Sequence, residues 1–143
     1  MESVLETGHS WILESVEYQF GCLCIVLKEL FKAASPSSVE EGAPIDGAFA
    51  IKPSGNSRRV SIKFHQLITW QVINESCEAE EPGCLYQSHG YLAEVEESEY
   101  FLYVKKRFGW YSCISGEFRL FRVWSEHEII EVVCSSEPEV SVL

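Results

Sequence analysis

The chain has one aspartate, Asp46, and one methionine among 143 residues, and its basic side chains are few. Eleven Lys and Arg stand against twenty-two acids, so the formal net charge is −11. A surface of that sign repels phosphate backbones and anionic lipid, which disfavours nucleic-acid binding and membrane-surface binding. No apolar run approaches the roughly 18 residues of a membrane span. Met1–Glu6 has neither a basic start nor an apolar core and does not read as an export signal. The six cysteines are therefore expected as thiols in a cytoplasmic protein.

Chemical motifs are equally scarce. There is no nucleophile elbow, phosphate-binding loop or dinucleotide fingerprint, and the four histidines stand in no ligand spacing. Cys22 and Cys24 are spaced Cys-x-Cys, with no second close pair to complete a zinc site. Neither metal nor cofactor is expected. A Cys/His hydrolase could draw on Cys84 with His89 or Cys113 with His127, but neighbouring glutamates would raise those thiol pKa values. Paired carboxylates occur at Glu80-Glu81, Glu96-Glu97 and Glu126/Glu128, all in polar, turn-like stretches that read as solvated faces. Glu131 differs, being the one acid inside the last apolar run. It points outwards by alternation or is a buried polar group.

Apolar residues at 46% and charged residues at 23% fit one globular domain over 1–143. Val16, Tyr18 and Phe20 alternate with Glu17 and Gln19, as in a half-buried strand. After Gly21, which fits a turn or bulge, Cys22–Leu27 suits a buried strand better than a short helix. Residues 35–47, with two prolines, two glycines and three serines, read as a long loop. A turn at Pro53–Asn56 would join Ala48–Ile51 to the alternating Val60, Ile62 and Phe64, with Leu67–Ile73 as the next strand. A short strand is expected within Leu85–Tyr91.

The principal helix is expected at about 98–108. Ser98 suits the N-cap; Phe101, Val104 and Phe108 share one face; Lys105-Lys106-Arg107 suit the negative end; and Gly109 suits a left-handed C-cap. Phe118–Trp124 and Ile129–Cys134 read as a closing hairpin, with a capping box at Ser125/Glu128 as the rival. Residues 137–143 read as a loose tail. The fold expected is α+β, a mainly antiparallel sheet of about five to seven strands with one helix packed on it. Its core would contain Val16, Tyr18, Phe20, Leu23, Ile25, Val60, Ile62, Phe64, Trp70, Val72, Phe101, Val104, Phe108, Leu120, Ile130 and Val132.

Ser98-Glu99-Tyr100-Phe101-Leu102-Tyr103-Val104, Phe118-Arg119-Leu120-Phe121 and Glu128–Val133 follow two hairpin-like regions. In that order they resemble small bacterial proteins, some of them immunity-like or accessory binding proteins. The resemblance is structural and carries no functional residue. It covers about the last two-thirds of the chain, and it implies a binding role.

Two acidic segments point the same way. Glu75–Glu99 holds eight Glu and Glu126–Glu139 five, with no Lys or Arg in either. The function expected is a non-catalytic protein that docks a basic partner. Glu94, Glu96, Glu97 and Glu99 would steer that partner, with Trp110, Tyr111 and Trp124 as aromatic anchors. A small hydrolase with a Cys/His or Glu site and a structural homo-oligomer are the alternatives.

Overall fold

A computed structural model of the chain describes residues 4–7, 10–32, 51–52, 57–77, 84–88 and 90–143. The first hairpin joins β1 (Ser10–Gln19) to β2 (Cys22–Lys32). Phe20 and Gly21 form its two-residue turn with φ of 50° and 74°. Positive φ at both positions gives the strands the twist they need, and glycine meets it without strain. β3 (Ile51–Lys52) pairs with the far end of β2, not with the strand that follows it. β4 (Arg59–Phe64) lies on β2, and β10 (Glu139–Val142) closes this sheet against β4.

The second sheet contains β5 (Leu67–Asn74), β6 (Leu85–Tyr86), β7 (Leu92–Glu97), β8 (Arg119–Trp124) and β9 (Glu128–Cys134). Its order is β5-β9-β8-β7-β6, antiparallel throughout. The two sheets pack face to face. Trp11, Leu23, Ile25, Ile62 and Phe64 meet Phe121, Val123, Ile130 and Val132, with the Phe64 and Phe121 ring centroids 5.9 Å apart. On its other face, the second sheet presents Val95, Leu120 and Val133 to Phe101 and Val104 of α1 (Glu99–Phe108). The fold is therefore α+β in three layers: sheet, sheet, helix. The central sheet is covered on both sides, which is why β8 and β9 read as nearly continuous apolar runs. Each aliphatic side chain buried there contributes about 1.5–3 kcal/mol.

Ser98 caps α1 as expected, its Oγ accepting from Phe101 N–H at 3.1 Å. Ser98→Ala should cost about 1 kcal/mol in urea denaturation, and Ser98→Asp should cost far less. Gly109 is not a left-handed cap. It has φ −61° and continues into a 3-10 turn, Gly109–Tyr111, and a short helix, α2 (Ser112–Ser115). The Ser112 hydroxyl donates to Gly109 O at 2.7 Å across this junction, and Gly116 at φ 101° ends the run.

Other expectations need correction. The strands divide between two sheets. β7 is a full strand, whereas the Leu85–Tyr91 region supplies only the two residues of β6. The tail is no loose end, since Glu139–Val142 pairs in register with Lys63–Val60. Tyr18, Phe20 and Val72 are exposed, Phe20 by 94%. β1 and β5 are edge strands, and Tyr18 and Phe20 sit at the tip of the first hairpin. Val16, Trp70 and Phe108 are half-buried. The 35–47 loop, Ala48–Ala50 and the Pro53–Asn56 turn lie outside the described residues.

Candidate functional site

Helix α1 buries Phe101 and Val104, which turns Leu102 and Tyr103 to solvent. Beyond Gly109 the chain stays helical in short pieces, and Trp110, Tyr111 and Ile114 there are exposed as well. Trp110 and Ile114 are each 71% exposed. Trp110 and Tyr111 pack edge to face, with centroids 5.6 Å apart at 79°. Apolar groups set together in water in this way mark an interaction surface more often than a random exposure.

Beside this ridge runs a groove of about 780 Å³ between β7, the end of α1 and the start of β8. Glu94, Glu96, Glu117, Lys105 and Arg119 supply its charges. Glu94 does not offer an unpaired carboxylate. Its two oxygens accept from Arg119 Nε and Nη2 at 2.9 and 2.6 Å, and Arg119 also pairs with Glu137. The hydrogen bonds from Arg119 to Glu94 dominate, and they hold this guanidinium firmly protonated. Glu96 and Glu97 are exposed at the end of β7, and Glu99 is exposed in the first turn of α1. Lys105 lies over the Phe101 ring at 4.3 Å, and Lys106 and Arg107 follow it in the last turn of α1.

Trp124 stands apart from Trp110. It lies half-buried at the end of β8, with the Arg122 guanidinium 5.9 Å from its ring centroid. Arg122 also faces the Tyr86 ring at 5.7 Å and donates to the Tyr86 hydroxyl. Directly across the strand pair is Glu131, buried, with Arg122 Nη2 at 3.3 Å and Gln71 Nε2 donating at 2.9 Å. Glu131 is thus a buried polar group on the helix-facing side of the central sheet. Burial pushes the phenols of Tyr86 and Tyr100 up, against the lowering influence of Arg122 and of a Thr69 hydrogen bond respectively.

A second, more open depression of about 500 Å³ is lined by Glu6, Tyr86, Gly90, Tyr91, Ala93 and Trp124. It is invisible to sequence patterning, because its parts come from three separate segments.

The six cysteines are free thiols in the structure. Burial pushes the Cys134 thiol up to about 11 and raises that of Cys24, which suppresses the thiolate form. Cys113 precedes β8, whereas exposed His127 sits in the turn after it, about 17–20 Å of strand away. Cys84 is half-buried and hydrogen-bonds with Tyr86, and His89 lies outside the described residues. His65 is 3.4 Å from Glu139, and neither His65 nor His127 lines either depression. Among the described residues no three His, Cys, Asp or Glu side chains converge as a metal site, and no helix is long and apolar enough to cross a membrane.

The geometry therefore gathers Glu96, Trp110 and Tyr111 around one ridge and groove, commits Glu94 to Arg119, and places Trp124 elsewhere. Tyr103, an aromatic candidate for an exposed patch by its type, is exposed here too, whereas Ile114 and Glu117 were missed. Comparison with family models, with curated proteins and with solved structures finds no match for this chain.

Proposed function

We propose that this chain is a non-catalytic binding protein that docks a basic protein partner on the ridge formed by α1 and α2. The observation that carries the reading is the exposure of Trp110 and Ile114 next to the groove that Glu96 lines, with Glu97 and Glu99 exposed at the opposite end of α1. Aromatic side chains supply the desolvated anchor of an interface, and exposed acids on the same side of the molecule speed encounter with a cation-rich surface. The chain's net charge of −11 extends that field beyond the ridge. A cytoplasmic immunity or accessory role is the finer form of this reading, supported by the resemblance in residues 98–104, 118–121 and 128–133.

The test begins with capture of the partner from the native host and its identification by mass spectrometry. Association is then followed by stopped flow. Replacing Glu96, Glu97 and Glu99 together by Gln should slow association about tenfold at low salt. Raising salt should slow the parent protein to the same rate. Glu94 is left intact, because its removal would cost Arg119 its bidentate partner and confuse binding with stability. An acidic partner, or association indifferent to both changes, overturns the reading.

A further inference from the structure

The 3-10 turn Val4–Thr7 is pinned to the core by Leu5, which is fully buried and whose carbonyl accepts from Trp11 Nε1 at 2.8 Å. That anchorage delivers the next side chain, Glu6, to the β6–β7 connection, where its Oε1 accepts from Tyr91 N–H at 2.9 Å. Gly90 makes the approach possible. It adopts φ 121°, and any Cβ there would run into the Glu6 carboxylate. A carboxylate is thus held by design of the backbone at the rim of the depression walled by Tyr86, Tyr91 and Trp124.

Arg122 already lies against two of these rings, but Glu131 balances its charge from 3.3 Å. No cation among the described residues pairs with Glu6. The hairpin turn that follows Trp124 adds Glu126 and Glu128, and Arg58, which donates to Thr7 beside Glu6, is itself paired with Glu29. Aromatic faces around an anionic rim attract an organic cation, and a planar guanidinium stacks on rings better than an ammonium does.

We infer that the depression between Tyr86, Tyr91 and Trp124, with Glu6 at its rim, receives an arginine side chain of the partner. This rests on the proposed docking of a basic protein, and it places a second contact away from the Trp110 ridge.

The probe is the peptide acetyl-Gly-Arg-Gly-amide, with the citrulline peptide as its uncharged isostere. Each is titrated into the full chain while the indole N–H resonance of Trp124, assigned through Trp124→Phe, is followed by NMR. The arginine peptide should bind at least about fivefold tighter than the citrulline peptide. Glu6→Gln keeps an oxygen for Tyr91 N–H but removes the charge, and it should erase that difference with the rest of the spectrum unchanged. Equal shifts with both peptides, or no shift at Trp124, overturn the inference. A free quaternary ammonium, tetramethylammonium, binding more tightly than the arginine peptide would also overturn it, in favour of a small-molecule site. If Glu6→Gln leaves affinity for the captured partner intact while Trp110→Ala lowers it, the docking reading stands and this second contact fails.

Discussion

Replacing Glu131 with Ala is expected to destabilise the protein by about 3–5 kcal/mol, with a similar loss for Arg122→Ala. Both side chains are buried, Glu131 at 2% exposure and Arg122 at 3%, and they face each other in register on β8 and β9. Removing either one leaves a full charge inside the layer between the central sheet and the helix. Two of the contacts that stay are neutral. Gln71 donates to Glu131, and the Tyr86 hydroxyl accepts from Arg122, but neither carries charge. Forming the pair brings modest net gain, because both ions lose their water. The double replacement Arg122→Met with Glu131→Leu should therefore recover most of the loss, since it removes both charges and keeps the volume. Urea denaturation of the two single variants and the double variant, read as one cycle, measures this coupling. Single losses below about 1 kcal/mol, or a double variant no better than the sum of the singles, would refute a desolvated pair.

That pair also shows where sequence reasoning stops. Alternation in Ile129–Cys134 assigns Glu131 to the face opposite Ile130 and Val132, and in a sheet with one wet side that face is solvent. Only the third layer, a helix packed on the far side of the central sheet, turns the position into an interior one. Whether a layer is present depends on contacts between segments far apart in the chain, and periodicity within a segment is blind to them. The helix itself was legible because its signals are local: Ser98 bonds Phe101, and Phe101 and Val104 are neighbours along one face. Its ending was not. Gly109 permits a left-handed cap but does not compel one, and the Ser112 hydroxyl keeps the chain helical. Glu139–Val142 is too short to announce a strand and owes its conformation to β4. The acidic stretch holding Glu94 was visible, but not that Arg119, 25 residues on, matches one of its charges. The ridge was half legible. Trp110, Tyr111 and Tyr103 stand out by type, whereas Ile114 joins them only when the chain is known to stay helical past Gly109.

Trp110→Ala combined with Ile114→Ser is expected to weaken binding of the captured partner at least thirtyfold, about 2 kcal/mol or more. Both side chains are 71% exposed, so truncating them removes little intramolecular packing. The melting temperature should fall by no more than about 3 °C, because exposed substitutions away from caps and cores usually change stability by less than about 0.5 kcal/mol each. Separation of the two readouts is the point of the experiment. A tryptophan buried at an interface loses a large apolar area and its stacking partner when truncated, and water then enters the contact. Tyr111→Leu keeps apolar bulk but removes the edge-to-face pair with Trp110, so a smaller loss, about threefold, is expected. Light scattering on the parent and the double variant at equal concentrations separates partner docking from self-association. A parent dimer that the double variant dissolves would assign the ridge to a second copy of this chain. Unchanged affinity in the double variant, or affinity loss accompanied by a fall in melting temperature beyond about 3 °C, would remove the ridge as the docking surface and leave Trp110 and Ile114 as exposed side chains without a role in binding.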